Sequence, residues 1–332
     1  MHRSQPSPLP RRRGMAAIVA VIACALLPLS APAQDNFPSR PIRVLVAFPA
    51  GGSADIVARL VTQTMTQQTG WNFVVDNKPG AGGNLAFETA GNAEPDGYTL
   101  LFSTPGVVIN PHLYRKVPYR WDAFSPIGLV GDAPLVLMAN PKLPARNIAE
   151  LQALARDKPG SLRFASSGNG SSSHLAMDVL RTMGGITYLH VPYRGGAVAM
   201  NDTMADLTDL TVQPIAESLP NIRSGRLRAL GVTGDKRSPM APEIPTIAEG
   251  GVRDYAVSTW YVALAPAKTP ALLIARLHGA LDAALKNAEL QDRLARAGVQ
   301  IINAGPQQTA DFMGQESGKW AKAIEASGTR ID

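Results

Sequence analysis

The chain has 332 residues, 45% of them hydrophobic and 17% charged, and a formal net charge of +6. A chain of this length buries one large core or two modest ones, since single cores stop growing at roughly 250–300 residues. The composition excludes a disordered or fibrous protein, and a single cysteine, Cys24, excludes a disulfide scaffold.

At the start of the chain Arg3, Arg11, Arg12 and Arg13 precede an apolar run over residues 15–29 and then Ala31-Pro32-Ala33. A basic start, a short apolar stretch and a small-residue end make a secretory signal peptide, residues 1–33, cut after Ala33. The run is shorter than the ~20 residues that span a bilayer, which sets a membrane anchor aside. Residues 1–33 take four of the 32 Lys+Arg and none of the 26 Asp+Glu, so the mature formal charge is +2. No basic cluster follows Gln34, and no nucleic-acid partner is expected. Cys24 lies inside the apolar run, which argues against a lipoprotein site at Val21-Ile22-Ala23-Cys24. The arginine triplet is read as an ordinary basic leader, not a twin-arginine signal. The mature chain is then free of thiols, as suits an oxidising compartment.

From Pro41 onward short β-branched runs alternate with helical patterns, the mark of βαβ units and a mainly parallel sheet flanked by helices. Strands are predicted over residues 42–48, 73–75, 98–102, 162–165, 188–191 and 227–232. A helix is predicted from Ser53 to about Gln68, with Ile56, Leu60 and Thr64 beside Val57, Val61 and Met65 at i, i+4 spacing. Ser53 is its expected N-cap and Gly70 its stop. A second helix begins within residues 171–173, carries Leu175, Val179 and Met183 beside Ala176 and Leu180, and ends at Gly184-Gly185. Leu273, Leu277, Leu281 and Leu285 form a later stripe, followed by Leu290 and Leu294 on a short helix closed by Gly298. The stripe is too short for sustained heptads, so these leucines are core and not a zipper. Residues 127–139 and 257–265 are the expected crossings between two lobes. The first lobe is then discontinuous, 34–135 with 258–332, and the second runs over 136–257; in such hinged proteins the ligand sits at the interface.

Two loops place glycines and hydroxyls where a strand hands over to a helix. One is Phe48-Pro49-Ala50-Gly51-Gly52-Ser53-Ala54-Asp55, and the other is Ala165-Ser166-Ser167-Gly168-Asn169-Gly170-Ser171-Ser172-Ser173-His174. Helix N-termini offer free N–H groups and partial positive charge, and glycine lets an anion come close, so the loops suit a carboxylate held without arginine. Taken alone, such turns serve geometry as often as binding.

Further motifs follow in order: Pro38-Ser39-Arg40-Pro41-Ile42, Asn77-Lys78-Pro79-Gly80-Ala81-Gly82-Gly83, Pro95-Asp96-Gly97-Tyr98-Thr99-Leu100, Val191-Pro192-Tyr193-Arg194-Gly195-Gly196 and Pro245-Thr246 with Glu249 and Gly251. With the two loops they resemble, from about Phe37 to the C-terminus, the substrate-binding proteins of tripartite tricarboxylate transporters, the Bug-type solute receptors of bacterial periplasms. The resemblance implies a two-lobe, type II-like α/β periplasmic binding protein that closes over a small carboxylate. It implies no catalysis, cofactor or metal, a monomer, a periplasmic location, and service to membrane transporter subunits or a sensor protein. By the same resemblance Pro49, Ala50, Gly51, Gly52, Ser53, Ala54 and Asp55 face Ser166, Ser167, Gly168, Asn169, Ser171, Ser172 and His174 around the carboxylate, with Ser103 and Thr104 as a third wall and Tyr193 and Trp260 as flanks. The chain departs from its relatives at Ala205-Asp206, at Asp209-Leu210-Thr211-Val212-Gln213-Pro214 and at Val262. Gln213, Glu217, Asn169 and Arg194 are the candidates for the ligand's far end.

Plainer readings stand beside these. Asp55 suits helix capping, His174 a hydrogen-bonded first turn and Trp260 the core. Residues 80–83 are not a dinucleotide loop, because Leu85 stands where the third glycine belongs. A secreted hydrolase using a serine of 166–173, such as Ser171, is the enzyme alternative. It lacks a Gly-x-Ser-x-Gly elbow, and His112, His174, His190 and His278 show no i, i+4 pairing or acidic partner for a base or a zinc site. A cytosolic regulator is opposed by the signal peptide and by the lack of a helix-turn-helix before Pro41.

Overall fold

The predicted β-branched runs form strands a residue or two from their expected ends, and every one of them is stopped by a turn that leads into a helix or a loop. In the computed structural model, residues 1–2, 37–328 and 330–331 are described; the segment read as a signal peptide, Cys24 and Ala33 included, lies outside the described residues. The chain divides into residues 1–39 and residues 40–332, and all the described strands and helices belong to the second unit. Its strands are β1 Ile42–Val46, β2 Phe73–Asn77, β3 Thr99–Ser103, β4 Phe124–Ala139, β5 Leu162–Ser166, β6 Tyr188–Pro192, β7 Leu210–Pro214, β8 Arg228–Val232, β9 Ser258–Pro266 and β10 Gln300–Ala304. Its α-helices are α1 Ser53–Thr69, α2 Asn84–Gly91, α3 Gly106–Leu113, α4 Ile148–Asp157, α5 Ser172–Gly184, α6 Gly196–Met204, α7 Ile215–Arg223, α8 Ala271–Leu285, α9 Ala288–Arg296 and α10 Pro306–Ser327.

The strands join in the order β2-β1-β3-β9-β4-β7-β5-β6, with β8 and β10 also pairing to β4. β1 is parallel to β2 and β3, and β5 is parallel to β6 and β7. These parallel groups meet at β4, whose 16 residues extend roughly 50 Å at about 3.3 Å each. Residues 124–134 of β4 pair with β9, while residues 135–139 pair with β7 and 136–139 with β8. The chain comes back at Val257, whose N–H donates to Thr233 O just after β8, and one residue later β9 begins beside β4.

Helix α1 shows how the sequence sets the packing. Ala54, Val57, Ala58, Val61 and Met65 are buried along one face, and α1 packs on α8 and β2. Ile56 of the expected stripe is 38% exposed instead, since the helix turns its other row toward a shallow cavity shared with Arg293 and Arg296. Met183 of α5 is likewise exposed. The expected stop at Gly70 forms, with φ 73° and its N–H donating to Thr66 O. The expected N-cap does not: Gly52 takes that place with an extended backbone and no side-chain cap, and Ser53 is the first helical residue. α5 is capped as its serines indicate, by Ser171, and ends at Gly185 in the left-handed region.

At the middle of β4, Gly131 pairs with Ile301, and a Cβ there would lie 2.2 Å from the Gln300 main-chain oxygen. A backbone atom cannot swing aside. Gly131→Ala is expected to destabilise the fold by about 1–3 kcal/mol, the usual range for overpacking, seen as a lower urea midpoint; an unchanged midpoint would show that β10 yields freely.

Candidate functional site

Four strand-to-helix steps open onto one cleft of about 280 Å³. They are β1 to α1, β5 to α5, β6 to α6, and the direct passage of β7 into α7 at Pro214. Each lies at the carboxyl end of its strand, where open α/β sheets collect ligands. Thr104 after β3, Leu135 of β4 and Thr259 of β9 complete the lining.

On the α1 side the turn is braced from behind. Asp55 accepts from Gly51 N–H at 2.9 Å, from Arg59 Nε at 2.9 Å and from Asn77 Nδ2 at 2.9 Å, and Asn77 also donates to Phe48 O at 3.0 Å. Burial works to raise the Asp55 carboxyl, but these hydrogen bonds outweigh it and hold it below the usual carboxylate range. Gly51 adopts φ 81°, a conformation suited to glycine. Because the cap residue Gly52 has no side chain, no cap oxygen covers the first turn of α1, and of its amides the Ser53 N–H meets the Glu217 carboxyl across the cleft.

On the α5 side Ser171 Oγ donates to Gly168 O at 2.6 Å and accepts from His174 N–H at 3.3 Å. The Ser172 and Ser173 amides belong to the first turn, which has no intrahelical acceptors. Ser172 Oγ donates to Thr259 Oγ1 at 2.9 Å, and Ser173 Oγ is buried without a partner among the described residues. Beneath the loop Ser166 Oγ and His190 Nε2 lie 2.6 Å apart, Gly168 N–H donates to Ser166 Oγ, and Gly170 N–H donates to His174 Nδ1. The His174 and His190 rings stack with centroids 4.1 Å apart. One turn along α5, Asp178 sets its Oδ2 3.6 Å from His174 Nε2, an i, i+4 acidic neighbour that the sequence reading did not expect. Burial, aided by the charge of Arg181, lowers the His174 pKa to about 4, and burial with His174 beside it lowers His190 to about 3.

The expected residues divide into two sets. Pro49, Ala50, Gly51, Gly52, Ser53, Ala54, Thr104, Ser167, Ser171, Ser172 and Gln213 come together on the cleft. Gln213 is fully buried, with Oε1 accepting from Ser167 Oγ at 2.8 Å and Nε2 donating to Thr211 Oγ1. Outside the lining lie Asp55, Ser166 and His174, which brace the loops as above, Gly168, whose main chain bonds Ser166 and Ser171, and Ser103, whose hydroxyl donates to Thr104 O. Asn169 turns its carbonyl toward Gly82, where any Cβ would meet it at 2.6 Å, which explains the glycine there. Tyr193 donates its N–H to Ser166 O and engages Asp202 through its hydroxyl. Trp260 is buried in a separate place, donating Nε1 to Glu316 Oε2 at 3.1 Å. None of the serines lining the cleft meets a histidine ring, and among the described residues no group of three His, Cys, Asp or Glu could hold a metal.

Residues 195–198 and Thr259 also line the cleft, beyond the expected set. Gly195-Gly196, shortly after the end of β6 at Pro192 and at the start of α6, repeats the pattern of Gly51-Gly52 and was the available signal; Thr259 and Leu135 come from long strands that give none. Among the described residues the lining contains one base, Arg194, exposed, and one acid, Glu217.

Residues 57–329 match the family described as tripartite tricarboxylate transporter family receptor, TctC. This chain belongs to that receptor family. A protein from the tcbD-tcbE intergenic region of Pseudomonas sp. (strain P51) is 37% identical over 94% of both chains. Among solved structures, the periplasmic binding protein BugD is 33% identical with a TM-score of 0.83, over 89% of this chain and 100% of its own. R. palustris Rpa4515 with adipate is 31% identical, TM-score 0.84, over 89% and 99%. MatC from Rhodopseudomonas palustris with bound malate is 29% identical, TM-score 0.81, over 87% and 100%. The receptor therefore has the α/β periplasmic binding protein fold, and it is a solute-binding protein and not an enzyme.

The stacked histidines give the receptor a pH signature. Unfolded imidazoles take protons near 6.5, the folded ones only near 4 and 3. Their contribution is complete above about 6.5 and is lost as pH falls toward the folded values, because the unfolded chain binds more protons in that window. Stepwise urea denaturation is expected to show a loss on the order of a few kcal/mol between about pH 6.5 and 4. A flat profile there would contradict buried neutral imidazoles.

Proposed function

We propose that this receptor captures a small carboxylate in the periplasm, with the acid seated between the starts of α1 and α5 and the two lobes, 34–135 with 258–332 and 136–257, closing over it. One observation carries the reading: the first turns of two helices from different strand groups open onto the same cleft, one capped by a glycine and the other rich in hydroxyls. N–H groups at helix starts hold an anion without a buried countercharge, which fits a cleft whose single base is exposed. The relatives solved with adipate and malate support the ligand class, and the unbroken β4 with the return at Val257 supports a hinge at those boundaries. The receptor family supports delivery to membrane transporter subunits, with a sensor protein as the other receiver. Residues 1–33 direct export and leave Gln34 as the mature N-terminus, which intact-mass measurement of the exported protein checks; a mass retaining residues 1–33 would refute it.

Thermal-shift screening of small carboxylates is the direct test. A ligand present at about 100 times its Kd adds about 2.7 kcal/mol of stability; no shift with any carboxylate would defeat the proposal. Gly52 has an extended backbone that any residue adopts, and the nearest atom to a Cβ there is Pro49 O at 3.4 Å. Gly52→Val should therefore leave the melting temperature of the free protein nearly unchanged and weaken carboxylate binding at least about tenfold, or 1.4 kcal/mol. Unchanged affinity would remove the α1 start from the site.

A further inference from the structure

A cleft suited to an anion should not contain an acid, yet this one does. Glu217, in the first turn of α7, lines it, and its Oε1 is shut away from solvent with no hydrogen-bond partner among the described residues. Around it the Ser53 main-chain N–H at the α1 start meets the carboxyl, but among the described residues no cation answers its charge. Burial pushes the Glu217 carboxyl up to about 7, opposed only by the Ser53 main-chain N–H. Arg194 stands exposed on the same cleft, Arg293 and Arg296 line the neighbouring cavity that Glu217 also borders, and none of the three draws the carboxyl down. Tyr261, the nearby phenol, is buried and meets the Ser53 side chain.

An ionised carboxylate without a cation is costly to bury, and beside the α1 start it also repels the acid that the helix attracts. The two requirements are reconciled when the ligand brings the missing positive charge itself. Resting on the reading that the helix starts hold a carboxylate, we infer that the ligand is an amino carboxylate whose ammonium group is received by Glu217. The ammonium supplies up to three N–H donors and a full charge, while the helix starts take the carboxylate. The same group rejects plain dicarboxylates, whose far end would meet it charge against like charge.

The pH dependence has opposite signs for the two ligand classes. An ammonium group binds the ionised form of Glu217, so affinity rises as pH increases through about 7. A second carboxylate needs Glu217 protonated, and its affinity rises on acidification.

The test is calorimetric titration of the mature protein with a panel of α- and ω-amino acids, each paired with its des-amino acid and with the dicarboxylate of equal length. The expected result is an amino acid that binds at least about tenfold tighter than both of its partners. Its affinity should increase from about pH 6 to 8, and Glu217→Gln should reduce it to the level of the des-amino acid. If des-amino acids or dicarboxylates bind as well or better, or if Glu217→Gln keeps the preference, the role of Glu217 is overturned while the carboxylate site stands. If no member of the panel binds, the carboxylate reading falls and this inference with it. A folding defect in Glu217→Gln shows as a lowered melting temperature, in which case the wild-type pH dependence decides.

Discussion

An anion can be held by main-chain amides only where those amides have no partner of their own and nothing covers them. Helix first turns meet the first condition automatically; the second has to be built. Around this cleft the building is done by residues that never reach it. Asp55 ties Gly51, Arg59 and Asn77 together behind the α1 turn, while Ser166, His190 and His174 hold the α5 loop from below. Polar side chains satisfied below the surface leave the loop backbone fixed and the cleft side free, an arrangement that preorganises a site instead of ordering it on binding.

The same requirement gives β4 its length. The two helix starts belong to different parallel groups, and one continuous strand spans both, pairing with β9 along one part and with β7 and β8 along the other. α10 packs on β4, α3 and α5, and its Glu316 accepts from the indoles of both Trp260 and Trp320 at 3.1 and 3.0 Å. The C-terminal segment is thus fastened where the groups join, away from the cleft.

Much of the fold was legible because strand and helix periods are local. The runs at 42–48 and 162–165, the glycine stops at Gly70 and Gly185, and the leucine row of α8 all follow from spacing alone. The pair of loops at the helix starts was legible for the same reason, since Gly and Ser after a strand mark the turn chemically. The sequence could not say which side of a loop a residue faces. Asp55, Ser166 and His174 look like site residues by position and are braces by orientation. Ile56 matched the periodic pattern but lies at the border of the buried stripe, where a small helix rotation decides exposure. Thr259 and Leu135 reach the cleft through pairing with distant segments, Thr259 with Ala133 and Leu135 with Pro214, which no local pattern records.

Gly52 has a further consequence for how such a protein responds to selection. Replacing a glycine N-cap by Ser or Asp is an ordinary way to gain a few tenths of a kcal/mol or more, and natural proteins retain many such unused improvements. At this position the gain would come from an oxygen bonding to the very amides that the proposed ligand uses. Heat tolerance and sensitivity therefore pull on one residue in opposite directions, and a lineage screened for thermal endurance alone would become a sturdier protein that has stopped reporting its solute.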